Sequence, residues 1–456
     1  MPHSATLTTG PVGSRLLRMA GPMLLGMIAI MAFNLVDTFF LGRFSTEALT
    51  AISFTFPVVM SLGSLALGLG MGAAAVISNA IGEGDAERVQ RLTTHALILS
   101  VTIVVVVAAA GLLTVRPLFA ALGAEGEILD LVEDYMRIWY LSVGVVVVPM
   151  VGNSAIRATG DTRTPGMIMV VAALTNVIFD PILIFGWGPI PSLGIEGAAI
   201  ATALARASSL TAALYVLGAR KGMLTRRGLT PGSVLASSRE ILHVGLPAAA
   251  TRMVMPVGLG VLTRIVAGFG PASVAAFGVG SRVGMFSFAV IMALGASLVP
   301  FVGQNLGAGR RDRVHRAAWF SVRFGMGYGL ATWALFLVFA RPIAGVFNDA
   351  PEFLDAAALY FRVVPLGMIF AAATAMASTA LNGMLMPLRA ALLSVVQMFV
   401  LAVPLSWLGA RLGGLGGMFW GGVVANLAAG ILAIVVLRRA LKKTGTTDEA
   451  VPRSSV

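Results

Sequence analysis

The stretch MIMVVAALTNVIFDPILIFGW, residues 167–187, contains one charged side chain, that of Asp180. Its other residues are apolar or small, apart from Thr175 and Asn176. A helix of about 20 such residues crosses the roughly 30 Å hydrocarbon core of a lipid bilayer. The stretch therefore predicts a transmembrane helix in which a carboxylate must be compensated by its surroundings.

The composition extends this interpretation to the whole chain. Of its 456 residues, 57% are hydrophobic and 11% are charged, and the mean hydropathy is +0.91. Soluble domains are less apolar than this, and the apolar runs lack the alternation of barrel strands. Since every backbone polar group in lipid must be paired internally, we predict an all-α integral membrane protein.

The balance of charge and the cysteine count exclude several other classes of protein. The net charge is +12, and the chain has no cysteine. Without cysteine there can be no disulfides, thiol nucleophiles or thiolate metal sites. Basic residues crowd the cytoplasmic loops of membrane proteins, so the positive charge predicts contact with a lipid bilayer and not with nucleic acid.

Apolar runs between charged or Gly/Pro breaks predict twelve spans. Basic residues concentrate on one side, as in 219–239 and 310–316, whereas acidic residues such as Glu125 and Asp349 lie on the other. This distribution predicts a multi-pass protein of a bacterial-type inner membrane with both termini in the cytoplasm. The predicted spans are 16–41, 50–80, 93–115, 133–157, 165–187, 194–218, 241–266, 273–304, 317–340, 356–382, 388–410 and 414–437.

The chain also repeats itself with a shift of 225 residues. IGEGDAERVQR (81–91) then falls on LGAGRRDRVHR (306–316), and Pro22 falls on Pro247. Six spans in each half with the same orientation form a parallel repeat, which is an architecture of alternating-access transporters. The predicted domains are an N-lobe (1–218), a cytoplasmic linker (219–239), a C-lobe (240–440) and a cytoplasmic tail (441–456).

Several motifs occur in order along this repeat. They are AGPMLLGMIAIMAFNLVDTFFLG (20–42), IGEGD (81–85), IRATGDTRTP (156–165), NVIFDPILIFG (176–186) and GIEGAAIAT (194–202). With these motifs the chain resembles the multidrug and toxic compound extrusion (MATE) family. The resemblance implies a MATE/MOP-type fold and efflux of diverse, often cationic organic compounds, driven by inward flow of Na⁺ or H⁺. More distant relatives in the superfamily include lipid-linked oligosaccharide flippases.

Two carboxylates lie clearly inside the predicted spans. Asp37 is about 9 Å of helical rise before Arg43, and Asp180 is roughly 20 Å above the predicted cytoplasmic start of its span. Both therefore lie in the outer half of the membrane, which makes a shared ion-coupling site possible. Alternatively, Asp37 is an interfacial aspartate near a helix end, and Asp180 lines the pore without taking part in ion coupling. Pro181 adds an acceptor beside the acid, because it frees the carbonyl of Val177.

Polar neighbours extend this pair of acids into a network. Asn176 precedes Asp180 by one helical turn, and Asn34 precedes Asp37 by one turn. Thr202 and Tyr135 reach a comparable depth, whereas simple rise places Asn153 nearer the cytoplasm. By resemblance, the N-lobe cation-binding network of the family falls on Asp37, Asn153, Asn176, Asp180 and Thr202, with Tyr135 nearby. Pro22 and Pro181 are predicted helix kinks.

The repeat provides an internal comparison for the two acids. Asp37 corresponds to Leu262 and Asp180 to Val403, so the carboxylates are confined to the first half. Spans 241–266 and 356–382 contain no acidic residue, although the NorM-type branch of the family has one in each. The sequence therefore resembles the DinF-type branch, whose coupling site lies in the N-lobe.

These observations predict a monomeric antiporter that exports small organic cations and is not an enzyme. H⁺ is favoured as the coupling ion because a proton needs only a carboxyl group that can bind and release it. If Na⁺ is the ion instead, the metal ligands are Asp37, Asn176, Asp180 and Thr202. A lipid or lipid-linked oligosaccharide flippase is the alternative function. No cofactor and no other metal site are expected.

Overall fold

The computed structural model describes residues 5–445, which are helical almost throughout. Within these residues the β-structure is an isolated bridge between Trp187 and Ile190. A 3-10 turn, Thr6–Thr8, precedes the first helix, and π-helical segments occupy Val216–Arg220 and Val396–Ala402. The α-helices are α1 (Val12–Phe44), α2 (Thr46–Glu83), α3 (Ala86–Ala121), α4 (Gly126–Ala158), α5 (Arg163–Phe185), α6 (Gly194–Tyr215), α7 (Pro231–Ala267), α8 (Pro271–Gly307), α9 (Arg311–Gly345), α10 (Pro351–Gly383), α11 (Pro387–Val395) and α12 (Val403–Gly445).

Eleven segments of the described chain are long and apolar enough to cross a bilayer. The last of them, Pro387–Lys443, covers both of the final predicted spans, 388–410 and 414–437. Its helical geometry is interrupted inside α12 at Gly413 and Gly414. Gly414 adopts a φ of +59°, a left-handed conformation that glycine tolerates and that side chains with a Cβ disfavour.

The chain reverses direction at this interruption. Gly409 and Gly417 pack backbone against backbone, and Gly421 packs against the carbonyl of Leu405. These pairs approach each other from opposite sides of the turn, so the two spans are antiparallel neighbours. The prediction of an all-α membrane fold with twelve crossing helices is therefore confirmed.

The duplication is visible in the bounds of the helices. In the first half α2, α3 and α4 begin at residues 46, 86 and 126. In the second half α8, α9 and α10 begin at residues 271, 311 and 351, each 225 residues later. The first residues of these helices thus reproduce the shift of 225 residues that the sequence predicts.

The chain divides into two compact units. The first comprises Met1–Thr6 and Gly21–Ala249, and the second comprises Leu7–Ala20 and Ala250–Val456. The division falls inside α1 and α7, whereas the sequence places the boundary in the linker 219–239. Residues 446–456 of the predicted tail lie outside the described residues.

In the first unit, small residues let α2 and α7 pack closely. A Cβ added to Gly68 would lie 2.6 Å from the carbonyl oxygen of Gly245 and 2.6 Å from the amide nitrogen of Ala249. Gly72, one turn further along α2, packs against the carbonyl of Ile241. Such small-residue contacts are typical of membrane helices, in which association depends on close van der Waals packing.

In the second unit, a buried arginine holds the segment that precedes α1. Arg313 is 7% exposed and donates hydrogen bonds to the carbonyl oxygens of Leu7 (3.0 Å), Thr9 (3.0 Å) and Gly10 (2.7 Å). Its Nε donates to Asn305 Oδ1 at 2.9 Å, and Asn305 Nδ2 donates to the Leu7 carbonyl at 3.2 Å. We call Leu7–Gly10 the amino-terminal strap. Backbone carbonyls thus serve as the acceptors for this buried guanidinium.

Candidate functional site

The helices that carry the two membrane-embedded carboxyl groups pack side by side. A Cβ on Gly166 of α5 would lie 2.5 Å from the carbonyl oxygen of Pro22 of α1, and one on Gly26 would lie 3.1 Å from the Gly166 carbonyl. Asp37 follows Gly26 by about three turns, and Asp180 follows Gly166 by about four. Contact between backbones at one end of the pair therefore brings the carboxyl groups together further along.

A tight connection fixes the register of α6 against α5. The amide of Leu193 donates to the Leu183 carbonyl at 3.0 Å, and Ser192 Oγ donates to the Ile184 carbonyl at 2.7 Å. Gly197 in the first turn of α6 packs directly on the Leu183 backbone. This close approach, which a side chain at 197 would prevent, places Thr202 opposite Asn176.

The polar cluster at the centre of the first unit is built on Asn176 and Asp180. They are 1% and 0% exposed, respectively. Asn176 Nδ2 donates to Asp180 Oδ1 at 3.2 Å and to Thr202 Oγ1 at 3.4 Å. The carboxyl group of Asp37, which is half-buried, lies close enough to that of Asp180 for the two groups to interact. Neighbouring carboxyl groups are stabilised when they share a proton, because two carboxylates repel each other.

Of the remaining predicted site residues, Tyr135 lies beside the cluster and the others are not joined to it. Tyr135 is 9% exposed and lies close enough to Asp37 and Asp180 to interact electrostatically with both. Asn153 is 8% exposed, but no hydrogen bond in the described structure joins it to the cluster. Asn34 is exposed on α1. Pro22 and Pro181 both lie inside continuous helices.

The cluster contains more acceptors than donors. Three of its buried oxygens lack a hydrogen-bond donor among the described residues: Asp37 Oδ1, Asn176 Oδ1 and Asp180 Oδ2; Asn153 Oδ1, outside the cluster, also lacks one. Carboxylate and amide oxygens are ligands for hard cations, and carboxylates also bind protons. Across residues 5–445, no group of three or more His, Cys, Asp and Glu side chains is placed to hold a metal ion. The oxygen atoms of the cluster are chemically suited to a proton or a hard cation.

One charged residue near this cluster is not predicted by the sequence argument. Arg206 lies on α6 one turn beyond Thr202, and its guanidinium lies over the ring of Phe33, 5.6 Å from the ring centroid. Phe33 itself is one turn before Asp37 on α1. A signal was present in the sequence, because Arg206 is an isolated basic residue inside the predicted span 194–218.

The two carboxyl groups have no acidic counterpart at the repeated positions of the second unit, which carry Leu262 and Val403. Leu262, which corresponds to Asp37, packs in a hydrophobic cluster with Tyr360, which corresponds to Tyr135. The Tyr360 ring contacts Phe277 and Phe419 edge to face, with centroids 5.9 Å and 5.4 Å away. The positions of Asp37 and Asp180 are thus occupied by Leu262 and Val403 in the second unit, so the repeated fold does not itself require carboxyl groups there.

Outside the membrane, the motif IRATGDTRTP forms a turn that leads into α5. Asp161 Oδ1 accepts a hydrogen bond from the Thr164 amide at 3.0 Å, Oδ2 accepts one from the Thr164 hydroxyl at 2.8 Å, and Lys221 Nζ lies 3.1 Å from Oδ2. Burial alone would raise the pKa of Asp161, but the two Thr164 hydrogen bonds and the Lys221 ammonium outweigh it, so this pKa is lowered.

We expect Asp161→Asn to destabilise the protein by about 1 kcal/mol at neutral pH, because the charge-assisted contacts are lost. A folded-state pKa below the ordinary value of about 3.9 means that the stabilisation is complete above that value and is lost as the pH falls below it. Thermal unfolding in detergent should therefore separate the variant from the wild type at pH 7, and the difference should shrink as the pH is lowered below about 3.9. A difference that does not change with pH would contradict this assignment.

Known proteins resemble the chain along most of its length. The family model described as MatE matches residues 22–182 and 247–408, once in each half. The FAD transporter of Shewanella oneidensis is 36% identical over 95% of this chain and 96% of its own. The probable multidrug resistance protein NorM of Thermotoga maritima is 26% identical over 91% of this chain and 90% of its own.

Solved structures agree with these sequence matches. The Vibrio cholerae MATE transporter VcmN in its bent form superposes with a TM-score of 0.90 at 29% identity, covering 95% of this chain and 98% of that one. A MOP superfamily transporter from Pyrococcus furiosus, described as having a binding pocket of reversed polarity, superposes with a TM-score of 0.89 at 25% identity. It covers 97% of this chain and 99% of its own.

Proposed function

Because this chain belongs to the MatE family of multi-pass membrane transporters, we propose that it is an antiporter exchanging protons for organic cations with aromatic bodies. The family members are transporters and not enzymes. The observation that carries the proposal is the buried polar cluster of Asn176, Asp180 and Thr202, with the carboxyl group of Asp37 beside it, in the interior of the first unit. A proton shared by the two carboxyl groups would make this pair a site that can bind and release charge.

Antiport requires that the proton and the substrate weaken each other's binding. A cation is attracted to the pair when the shared proton leaves, and it is released when protons return, since protonation removes the negative charge. Burial strengthens this competition, because charges interact more strongly in a low-dielectric interior than in water. Alternating access of the two six-helix lobes then converts the competition into export across a bacterial inner membrane, with both termini in the cytoplasm.

H⁺ is preferred over Na⁺ for this pair on two grounds. Two neighbouring carboxyl groups are stabilised by a proton between them, whereas a metal ion must fit between its oxygen ligands. The absence of acids from spans 241–266 and 356–382 also favours coupling in the first unit, as in the DinF-like branch. If Na⁺ is the ion, Asp37, Asn176, Asp180 and Thr202 supply its ligands.

The test uses purified protein in proteoliposomes to which either gradient is applied by itself. In Na⁺-free buffer, an imposed pH gradient should drive a cationic dye such as ethidium against its own gradient. At constant pH, an imposed Na⁺ gradient should not. Dye movement that follows the Na⁺ gradient and ignores the pH gradient would identify Na⁺, and not H⁺, as the coupling ion. In that case Thr202→Val should raise the Na⁺ concentration needed for half-maximal transport.

Export of a flavin nucleotide is the second candidate function. It is favoured by the 36% identity to a protein named FAD transporter. FAD is anionic, so it would bind through cationic residues and not through the carboxyl pair. The same vesicles distinguish the candidates: pH-driven movement of FAD without movement of ethidium would support the flavin function. Competition by a lipid-linked sugar, but by neither of these compounds, would support a flippase.

A further inference from the structure

Arg206 is a charged residue near the middle of a membrane helix. It follows Gly194, the first residue of α6, by twelve positions and precedes Tyr215, the last, by nine. Its guanidinium lies over the ring of Phe33, which is 7% exposed, at 5.6 Å from the centroid. Charged side chains inside membrane segments are costly, and they commonly face a cavity and mark a substrate or ion path.

The guanidinium has no acidic partner in the described part of the chain. No hydrogen bond or ion pair of Arg206 is found there, and its one described contact is with the Phe33 ring. Asp180 is engaged instead by Asn176 and Asp37. The five N–H donors of a guanidinium in a fixed fork match a carboxylate or a phosphate, so Arg206 presents unused donors of that geometry.

The internal repeat indicates that this charge is not needed for folding. In the register that aligns Glu196 with Leu415, Arg206 aligns with Ala425. Ala425 is 0% exposed and packs within the second unit without any charge. Asp37 and Asp180 likewise have apolar counterparts. The arginine thus belongs to the set of charged residues that distinguishes the first unit from the second.

We propose that Arg206 and Phe33 form a subsite that binds an acidic group, a carboxylate or a phosphate, on an aromatic substrate. The subsite lies one turn along α6 from Thr202 and one turn along α1 from Asp37, on the sides of both helices that carry the carboxyl cluster. The acidic group pairs with the guanidinium, and the aromatic body packs beside Phe33. This inference deepens the proposed function and rests on it, because it concerns the substrate of the same interior.

Charge balance indicates which aromatic compounds such a site prefers. With one proton shared, the pair Asp37 and Asp180 carries one negative charge, and Arg206 carries one positive charge. A substrate with an amine at one end and an acid at the other satisfies both, whereas a simple cation leaves the guanidinium unpaired inside the membrane. Unpaired buried charge is strongly unfavourable. The interior should therefore favour aromatic zwitterions over cations of the same shape.

A fluoroquinolone and its methyl ester provide a matched pair of probes. The free acid carries an amine and a carboxylate, and the ester keeps the amine and the ring system without the negative charge. In wild-type proteoliposomes the acid should bind at least about 10-fold more tightly than the ester, the effect of one charge-assisted pair. Arg206→Gln should remove this preference for the acid over the ester, and Arg206→Lys should retain part of it.

FAD is the third probe of the binding experiment, because the acidic group that the subsite binds can be a phosphate. Binding of FAD that Arg206→Gln weakens at least about 10-fold supports the subsite with a phosphate as its ligand. The inference is overturned if Arg206→Gln leaves acid, ester and FAD binding unchanged, or if Arg206→Gln and Arg206→Lys weaken all three equally. Failure of the pH gradient to move the ester in the wild type would instead count against proton antiport, so the two failures are distinguishable.

Discussion

Replacing Asp180 with asparagine should reduce pH-driven transport by about 100-fold or more, near the upper end of measured coupling energies between two ligands. The variant keeps the size of the side chain and can still accept the hydrogen bond from Asn176 Nδ2, so the helix packing should remain. What it loses is the group that shares a proton with Asp37. Substrate binding at equilibrium should persist, but its dependence on pH should disappear.

Because the carboxyl groups of Asp37 and Asp180 lie next to each other, we expect the two residues to act as one unit in transport. Asp37→Asn should cause a loss of the same order, and the double variant should lose little more than either single variant. Residues that act as one unit show such non-additive effects, whereas independent sites add. Transport by the three variants and the wild type in matched proteoliposomes gives the interaction energy. Strictly additive losses would contradict a shared site.

Asp130→Asn is the matched control for these substitutions. Asp130 is an exposed aspartate that pairs with Arg116 at 3.0 Å, with 61% of its side chain exposed. Exposed ion pairs contribute on the order of 0–1 kcal/mol to stability, and no hydrogen bond in the described structure joins this pair to the carboxyl cluster. Transport should therefore stay within about two-fold of the wild type. A large loss in this control would show that the assay reports general damage.

Substituting Arg313 with methionine should destabilise the second unit by about 3 kcal/mol or more. Arg313 donates to three carbonyls of the amino-terminal strap and to Asn305, and methionine removes all of these donors. The Leu7 carbonyl would keep its hydrogen bond from Asn305 Nδ2, but the Thr9 and Gly10 carbonyls would lose this donor. Asn305, which is 0% exposed, would lose the donor to its Oδ1, and a buried unsatisfied group costs on the order of 1–3 kcal/mol. Thermal unfolding in detergent measures the loss.

A neighbouring arginine on the same helix serves as its control. Arg316 pairs with Asp312 four residues earlier, and its side chain is 63% exposed. Arg316→Met should therefore change the stability by less than about 1 kcal/mol. Protease sensitivity adds a second measurement, because Arg313→Met should expose the amino-terminal strap to cleavage and Arg316→Met should not. Equal behaviour of the two variants would contradict the role given to Arg313.

Much of the fold follows from the sequence because lipid imposes simple requirements. Apolar runs of sufficient length predict the helices, and the matched charges and prolines predict the duplication that the bounds of α2 and α8 reproduce. The division of the chain inside α1 and α7 could not be predicted in this way. It depends on which side chains pack together in three dimensions, and a continuous helix shows no break in the sequence where its packing partners change.

The candidate site was predictable to the extent that helical rise determines depth. Counting residues from the membrane boundary places Asp37 and Asp180 at one level, and their carboxyl groups lie close enough to interact. Asn176 and Thr202 follow from the same counting and share a hydrogen bond at 3.4 Å. The position of the Arg206 side chain could not be predicted, because depth alone does not reveal which ring a long side chain covers. Only the folded structure shows that its guanidinium lies over the ring of Phe33.

The reversal at Gly413 and Gly414 constrains how the nascent chain enters the bilayer. When the first of the two flanking spans leaves the ribosome, the backbone of Gly409 has not yet met that of Gly417, its partner across the turn. The turn itself is too short to carry a polar loop across the membrane ahead of the second span. We therefore expect the translocon to retain both spans and to release them together as one hairpin. Biogenesis, as well as the final packing, would then depend on these glycines.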